Sequence, residues 1–201
     1  MIPHNYFLKV RSFLNPLVDV LAAWEVSPHL LTWGGLACSL LAGISLFLGH
    51  FAWGVLFGVV SGLLDALDGM VARRRGIDSP AGTVLDSATD RYSDFFLLLG
   101  LLLYYRDRLL VNFLLALFAL IGSFMVSYAQ AKGEALQVAT PPGSMKRQER
   151  WTFLLTGIFL SALLKNQVPV FLSLAVVAVG ANYSALKRLC QIAKAASQRK
   201  R

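Results

Sequence analysis

The sequence has little of what enzymes use for thiol, histidine or zinc chemistry. Its 201 residues include two cysteines and three histidines. Cys38 sits inside an apolar run and Cys190 near the end of another, so they supply neither a disulfide framework nor a zinc-ligand spacing. His4, His29 and His50 are scattered, which argues against a histidine-held metal. No Gly-x-x-x-x-Gly-Lys-[Ser/Thr] loop is present, so ATP-driven chemistry is not indicated. Residues 1–9 lack the charged-then-apolar layout and small-residue cleavage site of a signal peptide, and the first apolar span is therefore expected to be retained. There is no internal repeat, no low-complexity stretch and no linker long enough to divide the chain, which points to a single domain over 1–201. Acidic residues are also scarce, 11 Asp+Glu against 19 Lys+Arg, for a net charge of +8.

Apolar residues are abundant. They make up 56% of the chain, with a mean hydropathy of +0.60. Soluble domains usually hold about 45–50%. A spanning helix needs about 20 mostly apolar residues. Runs of that kind lie near 30–50, 53–73, 86–106, 109–131, 151–166 and 168–187, the fifth short enough to begin in the interface. The expected fold is an all-α integral membrane protein with six transmembrane helices. Residues 5–24 mix Phe7, Val10, Phe13, Leu14, Leu17 and Val18 with Lys9, Arg11 and Asp19, the pattern of an amphipathic interfacial helix bent at Pro16. Gly54, Gly58 and Gly62 form a small-residue stripe expected to pack helices closely.

With both termini placed in the cytoplasm, only Arg106, Arg108 and Lys165 of the 19 basic residues fall on the outer side. The positive-inside rule then sets the orientation, in the cell (inner) membrane. The basic balance is matched to anionic lipid headgroups, not nucleic acid, because it falls between apolar runs. Residues around Thr140, Pro141, Pro142 and Gly143 read as a loop, and 191–201 as a basic cytoplasmic tail that frays.

The unusual feature is acid at membrane depth. Asp65 and Asp68 lie in the second span, and Asp86, Asp90 and Asp94 in the third. One ionised carboxylate at a helix centre costs roughly 2.5–3.5 kcal/mol on insertion scales. At 100° per residue, Asp65, Asp68, Gly69 and Ala72 share about 100° of arc; Gly82, Asp86 and Asp90 share about 80° if the third helix starts that early. Two pairs of carboxylates, each on one face, can converge at one site, and Mg²⁺ or Mn²⁺ prefers such oxygen ligands. Asp65 would lie roughly 12 Å below the cytoplasmic end of its span. The plain alternative is a structural ion-paired site with Arg73 or Arg91 as counter-ions, which four carboxylates on matching faces make less economical.

Read together, these residues are Asp65-x-x-Asp68-Gly69-x-x-Ala72-Arg73, then eight residues, then Gly82-x-x-x-Asp86-x-x-x-Asp90. The pattern resembles the full signature of the CDP-alcohol phosphotransferase family. Nearly the whole chain shares the resemblance, including the Pro28-x-x-Leu31-Thr32 start of the first span. The resemblance implies a transferase that moves a phosphatidyl group from CDP-diacylglycerol or a similar CDP-lipid to a polar alcohol, releasing CMP. It further implies two Mg²⁺ or Mn²⁺ ions held by Asp65, Asp68, Asp86 and Asp90, with Asp90 as general base. Asp68, Gly69, Ala72, Arg73 and Gly82 would bind the CDP-lipid, and Arg73 would face its pyrophosphate. A homodimer is expected on the same ground. Asp94 lies outside the pattern and receives no role.

The stretch from Gly143 to Arg150, with Arg147, Glu149 and Arg150, resembles the inositol-phosphate-using branch, and Arg188 matches a basic position there. Arg147, Arg150 and Arg188 are the expected grip on an acceptor phosphate, since guanidinium groups bind phosphate in a fork. One departure is Tyr128-Ala129-Gln130-Ala131-Lys132, where that branch carries a Lys at the place of Gln130. Glycerol phosphate or another alcohol is the alternative acceptor. An ion-coupled transporter also uses intramembrane carboxylates, but commonly shows repeated halves and broken helices, and neither is evident here.

Overall fold

The computed structural model describes residues 4–138 and 145–198, with the side chains of the first helix described from Phe13 onward. The expected loop at Thr140–Gly143 and the start of the basic segment lie outside the described residues. The described residues form helices α1 (His4–Ala23), α2 (Pro28–Phe47), α3 (Phe51–Arg75), α4 (Pro80–Tyr105), α5 (Leu110–Ala135), α6 (Arg147–Leu164) and α7 (Val168–Gln198). No strand occurs among them. Helix α1 carries Pro16 without interruption. The tail expected to fray instead prolongs α7 as far as Gln198.

Helices α2, α3, α5 and α7 are long and apolar enough to cross a membrane. The spans expected at 86–106 and 151–166 fall on α4 and α6, which are long but carry charge: Asp86, Asp90, Arg91 and Asp94 on α4, and Arg147, Glu149 and Arg150 on α6. Four apolar helices establish a membrane protein. Their outer faces present large apolar side chains such as Trp33, Trp53, Phe118 and Val179, each more than half exposed, as lipid contact requires.

The helix ends are chemically marked. α3 closes on Gly76, whose φ of 63° is the left-handed cap that glycine adopts without strain. Arg73, Arg74 and Arg75 fill its last turn, where cations suit the helix dipole. After Gly76, Ser79 caps α4 by accepting from the Gly82 backbone N–H at 3.1 Å, with Pro80 in the first turn. This tight link reverses the chain and sets the acidic stretch of α4 beside that of α3.

The two acidic helices pack chiefly on α2 and not on each other. The α2–α4 contact is unusually close. A Cβ on Gly100 would lie 2.2 Å from the Gly43 carbonyl oxygen, and one on Gly43 would lie 2.3 Å from that of Phe96. Only glycine permits this approach. Of the expected stripe, Gly54 meets Leu46 and Gly58 meets Leu155, while Gly62 faces open space. One core joins Leu46, Leu97, Leu98, Leu101, Leu154, Ile158 and Leu174 of α2, α4, α6 and α7. A smaller one seats Leu14 and Val18 of α1 on Leu31, Leu67 and Val71. An Asp19–Arg74 ion pair at 2.8 Å adds to that docking, as does the Arg75 Nη1 donation to the Val26 carbonyl at 3.1 Å. The amphipathic helix is thus fastened to the basic end of α3.

Candidate active site

Asp65, Asp86 and Asp90 each offer a carboxylate oxygen within 4.8 Å of the others'. The first comes from α3 and the other two from successive turns of α4, so the faces read from the sequence do converge. Asp68 is buried on the same helix as Asp65. Its Oδ2 accepts from the Thr32 hydroxyl at 2.6 Å, and its Oδ1 from the Gly69 backbone N–H. The Pro28 carbonyl oxygen, 3.0 Å from the same hydroxyl, is the other acceptor within reach of its one proton, so α2 orients an acid of α3.

The cation in ion-pair contact with these acids is Arg147, the first residue of α6, while Arg91 and Arg73 act on Asp86 only through their charge. The Arg147 Nη1 lies 2.7 Å from Asp65 Oδ2 and 2.6 Å from Asp90 Oδ1, and its Nε 3.5 Å from Asp94 Oδ1. Arg91 instead donates to the Ser87 carbonyl of its own helix. Arg73 folds over Gly69, where a Cβ would stand 3.2 Å from its Nη1. It also lines a cavity of about 360 Å³ with Asn15, Val18, Met70 and Arg74, between α1 and the end of α3. Gly82 lies in the capped first turn of α4, and Ala72 is half-buried one turn before Gly76.

The arginines expected to act together occupy three different settings. Arg147 sits in the acidic cluster. Arg150, 2% exposed, donates through Nη2 to Asp94 Oδ2 at 2.6 Å and through Nη1 to the Met145 carbonyl at 2.9 Å. Arg188, also buried, donates through Nη1 to Gln130 Oε1 at 3.1 Å, and Gln130 donates onward to Glu134 at 2.8 Å. Gln130, read as a lost contact, thus holds an arginine in place. Arg150 and Arg188 are close enough for their charges to interact, and the buried Nε atoms of Arg147, Arg150 and Arg188 have no hydrogen-bond partner.

Asp94 is the residue the sequence reading passed over. It is 6% exposed and collects Arg150, the Trp151 indole N–H and the Arg147 Nε. Glu149 completes the mooring of α6 by accepting from the Met145 and Lys146 backbone N–H groups at 2.7 and 3.2 Å. The signal for Asp94 was available: it follows Asp90 by one helical turn, as Asp90 follows Asp86.

Hard carboxylate oxygens gathered around a positive group fit a divalent cation of the magnesium kind. Such a site, set in a helical membrane protein beside guanidinium groups, defines an enzyme acting on an anionic, membrane-borne substrate. Residues 25–183 match the CDP-alcohol phosphatidyltransferase family, and the chain belongs to it. It is 31% identical to the phosphatidylinositol phosphate synthase of Mycobacteroides abscessus over 87% of this chain and 81% of that protein. It is 32% identical to the archaetidylinositol phosphate synthase of Methanothermobacter thermautotrophicus over 86% and 83%. Among solved structures it resembles the phosphatidylinositol phosphate synthase of Mycobacterium tuberculosis. In complex with manganese and citrate, that structure gives a TM-score of 0.80 and 27% identity, over 88% of this chain and 87% of that one. With CDP-DAG bound, the figures are 0.78 and 29%, over 88% and 92%. The chain is a membrane transferase of phospholipid biosynthesis.

Proposed function

We propose that this enzyme transfers the phosphatidyl group of CDP-diacylglycerol, or a similar CDP-lipid, to inositol phosphate, releasing CMP. The observation that carries the reading is the convergence of Asp65, Asp86 and Asp90, with Arg147 of α6 in contact with two of them. Two Mg²⁺ or Mn²⁺ ions, held by Asp65, Asp68, Asp86 and Asp90, would neutralise the pyrophosphate and the charge that develops on it. Asp90 takes the proton of the acceptor hydroxyl. The freed oxygen bonds to the phosphatidyl phosphorus, and the bond from that phosphorus to the bridging oxygen breaks, so the oxygen leaves with CMP. Transfer of this type depends on positioning and charge more than on covalent help. Asp68, oriented by Thr32, belongs with Gly69, Ala72, Arg73 and Gly82 to the CDP-lipid side, where small residues leave room for the nucleotide. Arg147, Arg150 and Arg188 serve the acceptor phosphate.

Relatives named for inositol phosphate products support the acceptor, as does a guanidinium supply larger than a neutral alcohol needs. The same reading has α4 and α6 spanning the membrane, for six spans in one domain over 1–201, with the interfacial helix and both termini cytoplasmic in the inner membrane. The bundle acts as a homodimer.

The test is to incubate purified protein with CDP-diacylglycerol, Mg²⁺ and a panel of inositol phosphate, inositol, glycerol phosphate and serine. CMP release is followed and the product identified by mass. Inositol phosphate should be used best. Arg188→Ala should raise its KM about ten- to a hundredfold, as loss of one charge-assisted hydrogen bond implies, with the CDP-lipid KM unchanged. Preference for an unphosphorylated alcohol would remove the phosphate grip and leave the transferase assignment standing.

A further inference from the structure

Arg147 holds the place of a cation in a carboxylate site. Its Nη1 makes contacts of 2.7 and 2.6 Å with oxygens of Asp65 and Asp90, which belong to different helices and to the group whose oxygens lie within 4.8 Å. A guanidinium nitrogen at those distances fills the position a divalent ion would take between the same oxygens. The two charges would also repel one another strongly in a half-buried setting. The other end of the guanidinium is differently held. Nε is 3.5 Å from Asp94 Oδ1, and Asp94 is itself immobilised by Arg150 and the Trp151 indole. The Trp151 ring lies 5.1 Å from the guanidinium carbon, a platform that tolerates rotation. A long side chain thus has its short contacts at the tip, between two carboxylates, while its Nε rests beside a third, fixed one without a hydrogen bond.

We propose that Arg147 is a two-position residue. In one position it holds Asp65 and Asp90 together as an internal cation. When a divalent ion takes that place, it turns about Asp94 toward the acceptor phosphate, so that metal loading readies the acceptor site. The inference rests on the metal reading of the acidic cluster. It carries a consequence opposite in sign to that of a residue that merely braces the site: removing the Arg147 charge tightens metal binding.

Mn²⁺ binding to the full chain in lipid nanodiscs, without substrate, is read by the loss of the free-ion electron paramagnetic resonance signal at pH 8. Arg147→Gln and Arg147→Met should each bind Mn²⁺ on the order of tenfold more tightly than the wild type, the scale of one charge-assisted contact. The Met variant removes the charge on an unbranched, flexible apolar side chain and serves if the Gln variant does not fold. Arg147→Lys, which keeps the charge, should stay within a few-fold of the wild type. Asp65→Asn is the control and should lose most of the binding. If Asp65→Asn loses binding while the Gln and Met variants bind no more tightly than the wild type, the two-position role is overturned and the metal site stands. If Asp65→Asn binds as the wild type does, the metal reading falls and the inference falls with it.

Discussion

Substituting Asp94 strands a buried guanidinium. Arg150 is 2% exposed and Asp94 6%, and their contact is 2.6 Å. Removing one partner of such a pair costs about 3–5 kcal/mol, because the remaining charge has neither water nor counter-ion, whereas replacing both with apolar groups of similar volume is often neutral. Arg150→Met should cost less, since Asp94 keeps Arg147 Nε at 3.5 Å and the Trp151 N–H, whereas Asp94→Leu should destabilise by about 3–5 kcal/mol. In a chain of this size that amounts to a fall of roughly 6–20 °C in Tm. The double variant should regain most of the loss. A residual of about 1 kcal/mol remains, since the Trp151 N–H still lacks its acceptor. The assay is thermal unfolding in one detergent for the wild type, both singles and the double, analysed as a double-mutant cycle. The double variant should be stable yet poor in acceptor use, because both Arg150 and the carboxylate beside Arg147 Nε have gone. Simple additivity, with the double as unstable as the two singles together, would refute the buried-pair account.

Asp65→Asn, Asp86→Asn and Asp90→Asn should each abolish turnover, with combinations no worse than singles, and EDTA should silence the wild type until Mg²⁺ or Mn²⁺ is restored; full activity in chelator would end the metal reading. Gly100→Ala sets a Cβ 2.2 Å from a backbone oxygen and should cost about 1–3 kcal/mol as an overpacked crossing, while Gly62→Ala, mid-helix and meeting nothing within 4 Å, should keep or raise Tm. In a background lacking Cys38 and Cys190, cysteines placed near His50, Arg106 and Lys165 should label from outside and those near Arg75 and Lys146 should not. External labelling near Arg75 would invert the proposed topology.

The acidic faces of α3 and α4 were legible because helical spacing is local: Asp90 follows Asp86 at an interval of four positions, and the sequence contains that interval. The start of α2 followed from Pro28, whereas α4 begins at Pro80, ahead of the span expected from residue 86. What periodicity could not supply was which cation meets the acids. Arg73 and Arg91 are near in sequence, yet Arg73 covers Gly69 and Arg91 bonds to its own helix. Arg147, 82 residues beyond Asp65, arrives through the packing of α6 against α3. The partner of Gln130 was hidden for a related reason. The loss of charge at Gln130 is visible in sequence, but its bond to Arg188 depends on α5 packing against α7. Asp94 differs, since its interval was on the page and only the absence of a family role left it unassigned.

The uneven charge of the helices bears on how the protein is made. Four segments are apolar enough to enter the bilayer on their own, whereas α4 and α6, spanning as proposed, carry the acids and arginines of the site. An unpaired charge in a spanning helix costs about 2.5–3.5 kcal/mol at its centre. Those charges find partners only across helices, Asp65 and Asp90 with Arg147, and Asp94 with Arg150. A nascent chain released only through α5 therefore holds α4 with its carboxylates unmatched. If α4 spans as proposed, its stable integration is expected to wait until α6 has emerged from the ribosome and supplied Arg147 and Arg150.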